Sequence, residues 1–569
     1  MKARSVRFVS DDFVVVTASD TKRLWYTDKF EYSGAYAYDI KKNKLRSLLR
    51  GTDELFPAQS GLGRIVGRVD GEPRVFMPAF IGPISSPPNY NLLSVSLRTG
   101  HGRVVARGRN DTADWIVSPD GTILAREDAM QRDGIYRIYS EIGGKRRMVY
   151  EQKNVTEPPF ALMGVTPQED ALVVVDYRRD ADFRAVYRLS VDGAPRQRIF
   201  ARDDRGLRSL IIDDNRQVLG VRYAGMRPSY EFLDPKLTDA MATIVAWAPG
   251  GAVEFVDATD DYGRILVRVS GEGRAPAYYV YRHDALSVER IVSVYEDIPD
   301  AAVGMTLSVE YPARDGLKIP TVATFPPGEE PGARPLPMIV MPHGGPEAYD
   351  DIGFDWLAQY FANRGFLVLQ PNFRGSEGFG ARLNAAGEGE WGGKMQDDVT
   401  DGRDVFVRNG WADGSRVCIV GASYGGYAAL AGGAFTPDKY RCVAAIAPVT
   451  DVPEVFDEIE NRRGRRNWVM NYLTRTIGDR KSDKDHLEAI SPVNAANAFV
   501  APVLLLHGVD DTVVPFGHSR RMERALRKAG KDVRLVKLKN EDHWLSSAET
   551  RIQTLRELDR FVSAHIGAN

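Results

Sequence analysis

A short unit, in which a turn rich in Asp, Gly, Asn or Pro runs into an apolar strand, recurs through the first half of the chain and constrains its folding more than any other feature. It occurs at Ser10-Asp11-Asp12-Phe13-Val14, Ser118-Pro119-Asp120-Gly121-Thr122, Thr166-Pro167-Gln168-Glu169-Asp170, Asp213-Asp214-Asn215 and Asp260-Asp261-Tyr262-Gly263, with a weaker copy from Gly61 to Val69. With Val14, Val66, Leu124, Val173, Leu219 and Leu266 as equivalent points, the spacings are 52, 58, 49, 46 and 47 residues, the period of a propeller blade. In the first unit, Phe13 to Ala18, Arg23 to Thr27, Ala35 to Ile40 and Leu45 to Leu49 are predicted as four short strands joined by tight turns. One such sheet cannot bury both of its faces, so successive sheets stack on one another. Residues 1–295, with hardly any helical periodicity, are therefore expected to form an all-β propeller of six recognisable repeats, a seventh blade being incomplete or missing at the N-terminus.

From about residue 305 the pattern changes to strands alternating with helices, the mark of a parallel sheet covered on both faces. Strands are predicted at Pro337 to Met341, Leu367 to Gln370, Val417 to Val420, Val443 to Ala447, Val503 to Leu506 and Val533 to Leu538. Helices are predicted at Phe354 to Asn363, Tyr424 to Phe435, Ser519 to Ala529 and Ala548 to His565. Residues 296–569 thus read as a second domain of α/β type, as 569 residues are too many for one core.

Bulk composition excludes several classes. The 75 Lys and Arg nearly cancel the 77 Asp and Glu, so no global field favours nucleic acid or an anionic membrane. Cys418 and Cys442 lack the number for a disulfide framework and the spacing of a zinc site, and read as small buried apolar residues. With no apolar run of about 18 residues, the expectation is a soluble chain, the cytoplasm favoured and the periplasm the alternative if the N-terminus is processed. Self-association is left open, and no cofactor or metal is expected, since neither HExxH nor a Cys/His cluster occurs.

Gly421-Ala422-Ser423-Tyr424-Gly425-Gly426 lies between the strand Arg416 to Val420 and an Ala-rich helix, the strand–turn–helix setting of a nucleophile elbow. A serine hydroxyl needs a histidine base, itself oriented by a carboxylate, and in α/β-hydrolases these follow in the order Ser, acid, His. His543 lies just beyond the strand Val533 to Leu538. Asp510 and Asp511, beyond the strand ending at Leu506, are both placed to orient it, and spacing does not separate them. All three positions fall at the carboxyl edge of the parallel strands. The remaining seven histidines fit structural roles better. An oxyanion hole is expected from the Tyr424 amide and from Gly345 in the loop His343-Gly344-Gly345-Pro346.

Together with Asn372-Phe373-Arg374-Gly375-Ser376, Trp391-Gly392-Gly393, Asp397-Asp398, Ser491-Pro492 and His507 to Pro515, these motifs span residues 305 to 548 and resemble the prolyl oligopeptidase family, in particular its acylaminoacyl peptidase and dipeptidyl peptidase branches. The resemblance implies a triad of Ser423, Asp511 and His543, choosing Asp511 over Asp510, and an N-terminal propeller, commonly seven-bladed. Its members often carry Arg or Asn two positions after the catalytic Asp, where this chain has Val513. Dipeptidyl peptidases of this type use a Glu pair in the propeller to hold a free amine, and no adjacent Glu-Glu precedes residue 300. Phe373, Trp468 and Tyr472 are candidate substrate-pocket residues beside Tyr424, and Arg462-Arg463-Gly464-Arg465-Arg466 is a basic run that reads as a solvated loop. The expected function is hydrolysis of short peptides through an acyl-enzyme, with acylaminoacyl-peptidase-like or oligopeptidase specificity. The rivals are an esterase with the same triad, a dipeptidyl aminopeptidase, and a propeller scaffold with an inert hydrolase half.

Overall fold

The structure, a computed structural model, describes all residues except 25–27, 58, 159, 177–182, 191–195, 465–466 and 568–569. Six antiparallel sheets follow one another along the N-terminal half, the blades of a β-propeller. Four are four-stranded meanders, for example Thr112–Val117, Ile123–Met130, Ile135–Ser140 and Arg147–Lys153. Period-2 burial explains them: Tyr136, Ile138 and Ser140 face inward while the residues between them are less buried. Blades cohere through shared cores, such as Ile116, Leu124 and Ile138 with Leu162, Leu172 and Val174. Polar ties add to this, for Asn215 Nδ2 donates to the carbonyls of both Arg68 and Val117.

Three local expectations are corrected here. The first blade opens on Lys2–Ser10, and its next two strands, Phe13–Leu24 and Asp28–Asp39, are each 12 residues long. Ser19-Asp20 is thus no turn, because Ser19 stays paired with Ser33; Thr27 lies outside the described residues. Val66 precedes the first strand of its blade, Gly67–Arg68, whereas the other five reference points lie in second strands, so Val66 is not their equivalent and the matching strand of its blade is Arg74–Ile81. The fifth blade has three strands and is followed by a helix, Pro235–Trp247, within the half expected to be all-β. Asp234 caps it by accepting from the Lys236 N–H, Pro235 opens it, and Leu237, Ala240, Met241 and Ile244 form its buried stripe.

The C-terminal half holds one eight-stranded sheet. Its strands are β1 (Thr306–Pro312), β2 (Lys318–Thr324), β3 (Leu336–Val340), β4 (Leu367–Pro371), β5 (Ala412–Ala422), β6 (Cys442–Ile446), β7 (Val503–Gly508) and β8 (Val533–Leu538), in the spatial order β1-β2-β4-β3-β5-β6-β7-β8. From β4 through β8 every pairing is parallel. Strands β3, β4, β6 and β7 are buried at every residue, as a sheet covered on both faces requires. The flanking helices include α1 (Trp356–Asn363), α2 (Lys394–Arg408), α3 (Tyr424–Phe435), α4 (Gly517–Lys528) and α5 (Ala548–Ile566). Among the described residues no helix is long and apolar enough to cross a membrane.

The cysteines differ from expectation. Cys418 and Cys442 sit directly opposite in the β5–β6 register, fully buried, with Cα atoms 4.7 Å apart, and are joined as a disulfide. Their separation of 24 residues carries no sign of this, because parallel register alone brings them together.

The chain packs as two compact units. One comprises Met1–Arg202, Ser209–Val221 and Arg465–Asn471; the other comprises Asp203–Arg208, Arg222–Gly464 and Tyr472–Asn569. The sixth blade belongs with the second unit, where Arg222 pairs with Asp351 and Ser270 Oγ accepts from the Phe354 N–H.

Candidate active site

Ser423 stands between β5 and α3 with φ 60° and ψ −120°, a backbone strained for a residue with a side chain. The glycines beside it permit that turn. A Cβ on Gly421 would lie 2.1 Å from the Gly425 carbonyl oxygen, and one on Gly425 would lie 2.1 Å from the Pro342 carbonyl oxygen. The Ser423 N–H donates to the Ile446 carbonyl at 2.9 Å, fixing the elbow on β6.

His543 Nε2 lies 3.0 Å from Ser423 Oγ, and its Nδ1 lies 2.7 Å from Asp511 Oδ2. The carboxylate against the imidazole is therefore Asp511 and not Asp510. Asp511 Oδ1 accepts from the N–H groups of Val513 (2.8 Å) and Val514 (2.9 Å). Burial works against its charge, but contacts from His507 and His543 outweigh it and hold the carboxyl below its ordinary range. This is the arrangement that keeps a carboxylate ionised beside a catalytic imidazole.

Two supporting residues were not singled out by sequence reasoning. His507, fully buried, has Nδ1 2.7 Å from Ser519 Oγ and Nε2 2.9 Å from the Val514 carbonyl and 3.3 Å from Asp511 Oδ2, so it braces the turn that holds Asp511. Glu541, also without exposed surface, accepts from the N–H groups of Asp542 (2.8 Å), Ser546 (3.0 Å) and Ser547 (3.1 Å) and from the Thr550 hydroxyl, anchoring the His543 loop to the start of α5. Its only sequence signal is an acid followed nine residues later by Thr at a helix start, which is too common to read.

The expected oxyanion donors lie on two segments. The Tyr424 N–H opens α3, where no preceding turn supplies an acceptor. A Cβ on Gly344 would lie 3.5 Å from Ser423 Cβ, so the loop carrying Gly345 rests against the nucleophile. His343 Nε2 meets Ser376 Oγ at 2.8 Å, and the Asn372 amide bonds both the N–H and the carbonyl of Asp350. The Asn372 to Ser376 motif thereby buttresses this loop, and Arg374 is held in turn by Asp398 and Asp315. Burial lowers the His343 pKa to about 4, so this imidazole is neutral near pH 7.

Of the three pocket candidates, Phe373 has its ring centre 5.5 Å from that of Tyr424. Phe373 has no exposed surface and stacks on His343 at 4.4 Å, supporting the loop from beneath. Trp468 packs against the Ile116 to Leu189 core of the first compact unit. Tyr472 is half-buried, with the Arg475 guanidinium 5.3 Å from its ring centre. In the basic run, Arg462 donates to the Thr512 carbonyl, next to Asp511; Arg465 and Arg466 lie outside the described residues. Among the described residues no cluster of three or more His, Cys, Asp or Glu is arranged to hold a metal.

Residues 352–569 match the sequence profile of the prolyl oligopeptidase family. The similarity to that family lies within the C-terminal part of the chain. The chain is 28% identical over 407 residues to dipeptidyl aminopeptidase BIII of Pseudoxanthomonas mexicana, covering 67% of this chain and 58% of that protein. It is 26% identical over 262 residues to acylamino-acid-releasing enzyme 1 of Oryza sativa subsp. japonica, covering 44% and 33%. The chain thus spans little more than half the length of the first relative and a third of the second. A puromycin-hydrolyzing peptidase of Mycobacterium tuberculosis shares the fold, with a TM-score of 0.74 at 18% identity over 99% of this chain and 95% of that one. Ser423, Asp511 and His543 follow the ends of β5, β7 and β8 in that order.

Proposed function

We propose that this protein is a serine peptidase that hydrolyses short peptides through an acyl-enzyme, with residues 1–295 as its propeller domain and 296–569 as its catalytic domain. The observation that carries the reading is the unbroken chain from Ser423 Oγ through His543 to Asp511, at 3.0 and 2.7 Å.

Ser423 Oγ attacks the scissile carbonyl carbon as its proton passes to His543 Nε2, and Asp511 stabilises the imidazolium so formed. The carbonyl oxygen, now anionic, accepts from the N–H groups of Tyr424 and Gly345. The C–N bond then breaks, the leaving nitrogen takes the proton from His543, and water repeats the sequence on the ester. This chemistry needs no metal, and the oxyanion and proton-transfer contributions are each worth about a hundredfold or more.

For specificity we favour release of blocked N-terminal residues or oligopeptide cleavage, since no adjacent Glu-Glu precedes residue 300. The longer match to a protein named dipeptidyl aminopeptidase supports a second reading, cleavage behind a free N-terminal dipeptide. One peptide, offered acetylated, with a free amine, and as an internal segment, tests both. Preference for the acetylated form supports an acylaminoacyl peptidase, equal rates an endopeptidase, and preference for the free amine the dipeptidyl reading.

A further inference from the structure

Among the described residues from 306 onward, only four large apolar side chains are exposed: Val500, Val513, Trp544 and Ile552. Two of them border the triad. Val513 is two residues beyond Asp511 and 51% exposed, and Trp544 follows His543 and is 65% exposed. An indole left in water beside a reacting centre forgoes burial that its size makes favourable, unless a partner arrives to cover it.

Neither residue is loosely held. The Val513 N–H donates to Asp511 Oδ1 at 2.8 Å. The Trp544 N–H donates to Asp542 Oδ1 at 2.9 Å, and its ring meets the His543 imidazole edge-on, with centroids 5.3 Å apart and planes at 90°. The indole therefore lies against the group that moves the proton.

The direction of the chemistry decides what this surface can meet. His543 Nε2 must deliver a proton to the leaving nitrogen, which has to come within about 3 Å of it. The residue bearing that nitrogen is the first one after the scissile bond, and its side chain lies within about one residue's length of the imidazole and of the indole packed on it. The carbonyl oxygen is directed instead at the N–H groups of Tyr424 and Gly345.

We propose that Trp544 is an apolar platform for the side chain of the leaving-group residue, so that the protein prefers peptides with a large apolar or aromatic residue immediately after the scissile bond. The inference rests on the serine-peptidase reading above and deepens it by naming the substrate class.

The test uses peptides with one common acyl half that differ only in the residue after the scissile bond, which is Phe, Leu, Gly or Asp. Wild-type enzyme should favour Phe over Gly in kcat/KM by about tenfold, the scale of one aromatic contact with its buried area. Trp544→Ala should reduce that preference to about twofold or less, and Trp544→Phe should keep most of it. Because the leaving residue has departed once the acyl-enzyme forms, the loss should fall on kcat/KM and be absent from the single-turnover breakdown of the acyl-enzyme. Wild-type enzyme that cleaves the Phe and Gly peptides equally, or a Trp544→Ala variant with the preference intact, would overturn the proposal. A fluorophosphonate probe run in parallel separates the two readings: failure to label Ser423 defeats the peptidase reading, whereas labelled enzyme without the preference defeats only the platform.

Discussion

Replacing Gly425 by alanine should disable the protein without touching a reacting atom. A Cβ at this position would sit 2.1 Å from the Pro342 carbonyl oxygen and 3.1 Å from that of His343, both backbone atoms that cannot rotate away. Relief requires the elbow and the oxyanion loop to part by about 1 Å, a displacement that costs on the order of a hundredfold in rate when it falls on catalytic geometry. The steric cost to folding is about 1–3 kcal/mol, as for other overpacked sites. The assay is kcat/KM on a chromogenic peptide together with urea unfolding. Gly61→Ala is the control, since nothing lies within 4 Å of its Cβ position, and it should change stability by about 0.5 kcal/mol or less. Gly425→Ala with kcat/KM within about threefold of wild type would refute the idea that this contact sets the spacing of nucleophile and oxyanion donors.

Asp511→Asn should lower kcat by about ten-thousandfold with little change in stability, because the amide favours the wrong imidazole tautomer; steady-state kinetics beside a thermal melt checks it. Glu541→Ala strands four donors at the foot of the His543 loop and should cost about 3 kcal/mol, read in urea, with a fall in kcat from the loosened base. His343 gives a pH dependence of stability. Its folded pKa of about 4 lies below the ordinary 6.5, so below 6.5 the unfolded chain takes up a proton that the folded one refuses. About 3 kcal/mol is then lost as pH falls from 6.5 through 4, and unfolding free energies of wild type and His343→Gln over that range should show the steeper slope in wild type.

The catalytic half was legible because its strands are continuous apolar runs followed by motifs whose chemistry fixes their place: Val503 to Leu506 and Val533 to Leu538 end where Asp511 and His543 must emerge. The propeller was legible as a period, yet Val66 shows how the reference point of a repeat can be misplaced when turn and strand signals are weak. The helix Pro235–Trp247 carried its own cap and stripe in sequence, but the surrounding β pattern obscured it. What could not be read depends on three-dimensional register. The Cys418–Cys442 bond follows from two parallel strands in step, and the bracing by His507 and Glu541 from loops folding back on one another.

The account stands on Ser423 as the nucleophile, and mass spectrometry of the intact protein after fluorophosphonate treatment, with peptide turnover measured on the same samples, tests it most directly. Wild type should gain a single adduct that maps to Ser423 and lose all turnover, and Ser423→Ala should take up no adduct and fall by about a millionfold in kcat. Turnover that persists in Ser423→Ala, or an adduct that maps elsewhere, would contradict the account.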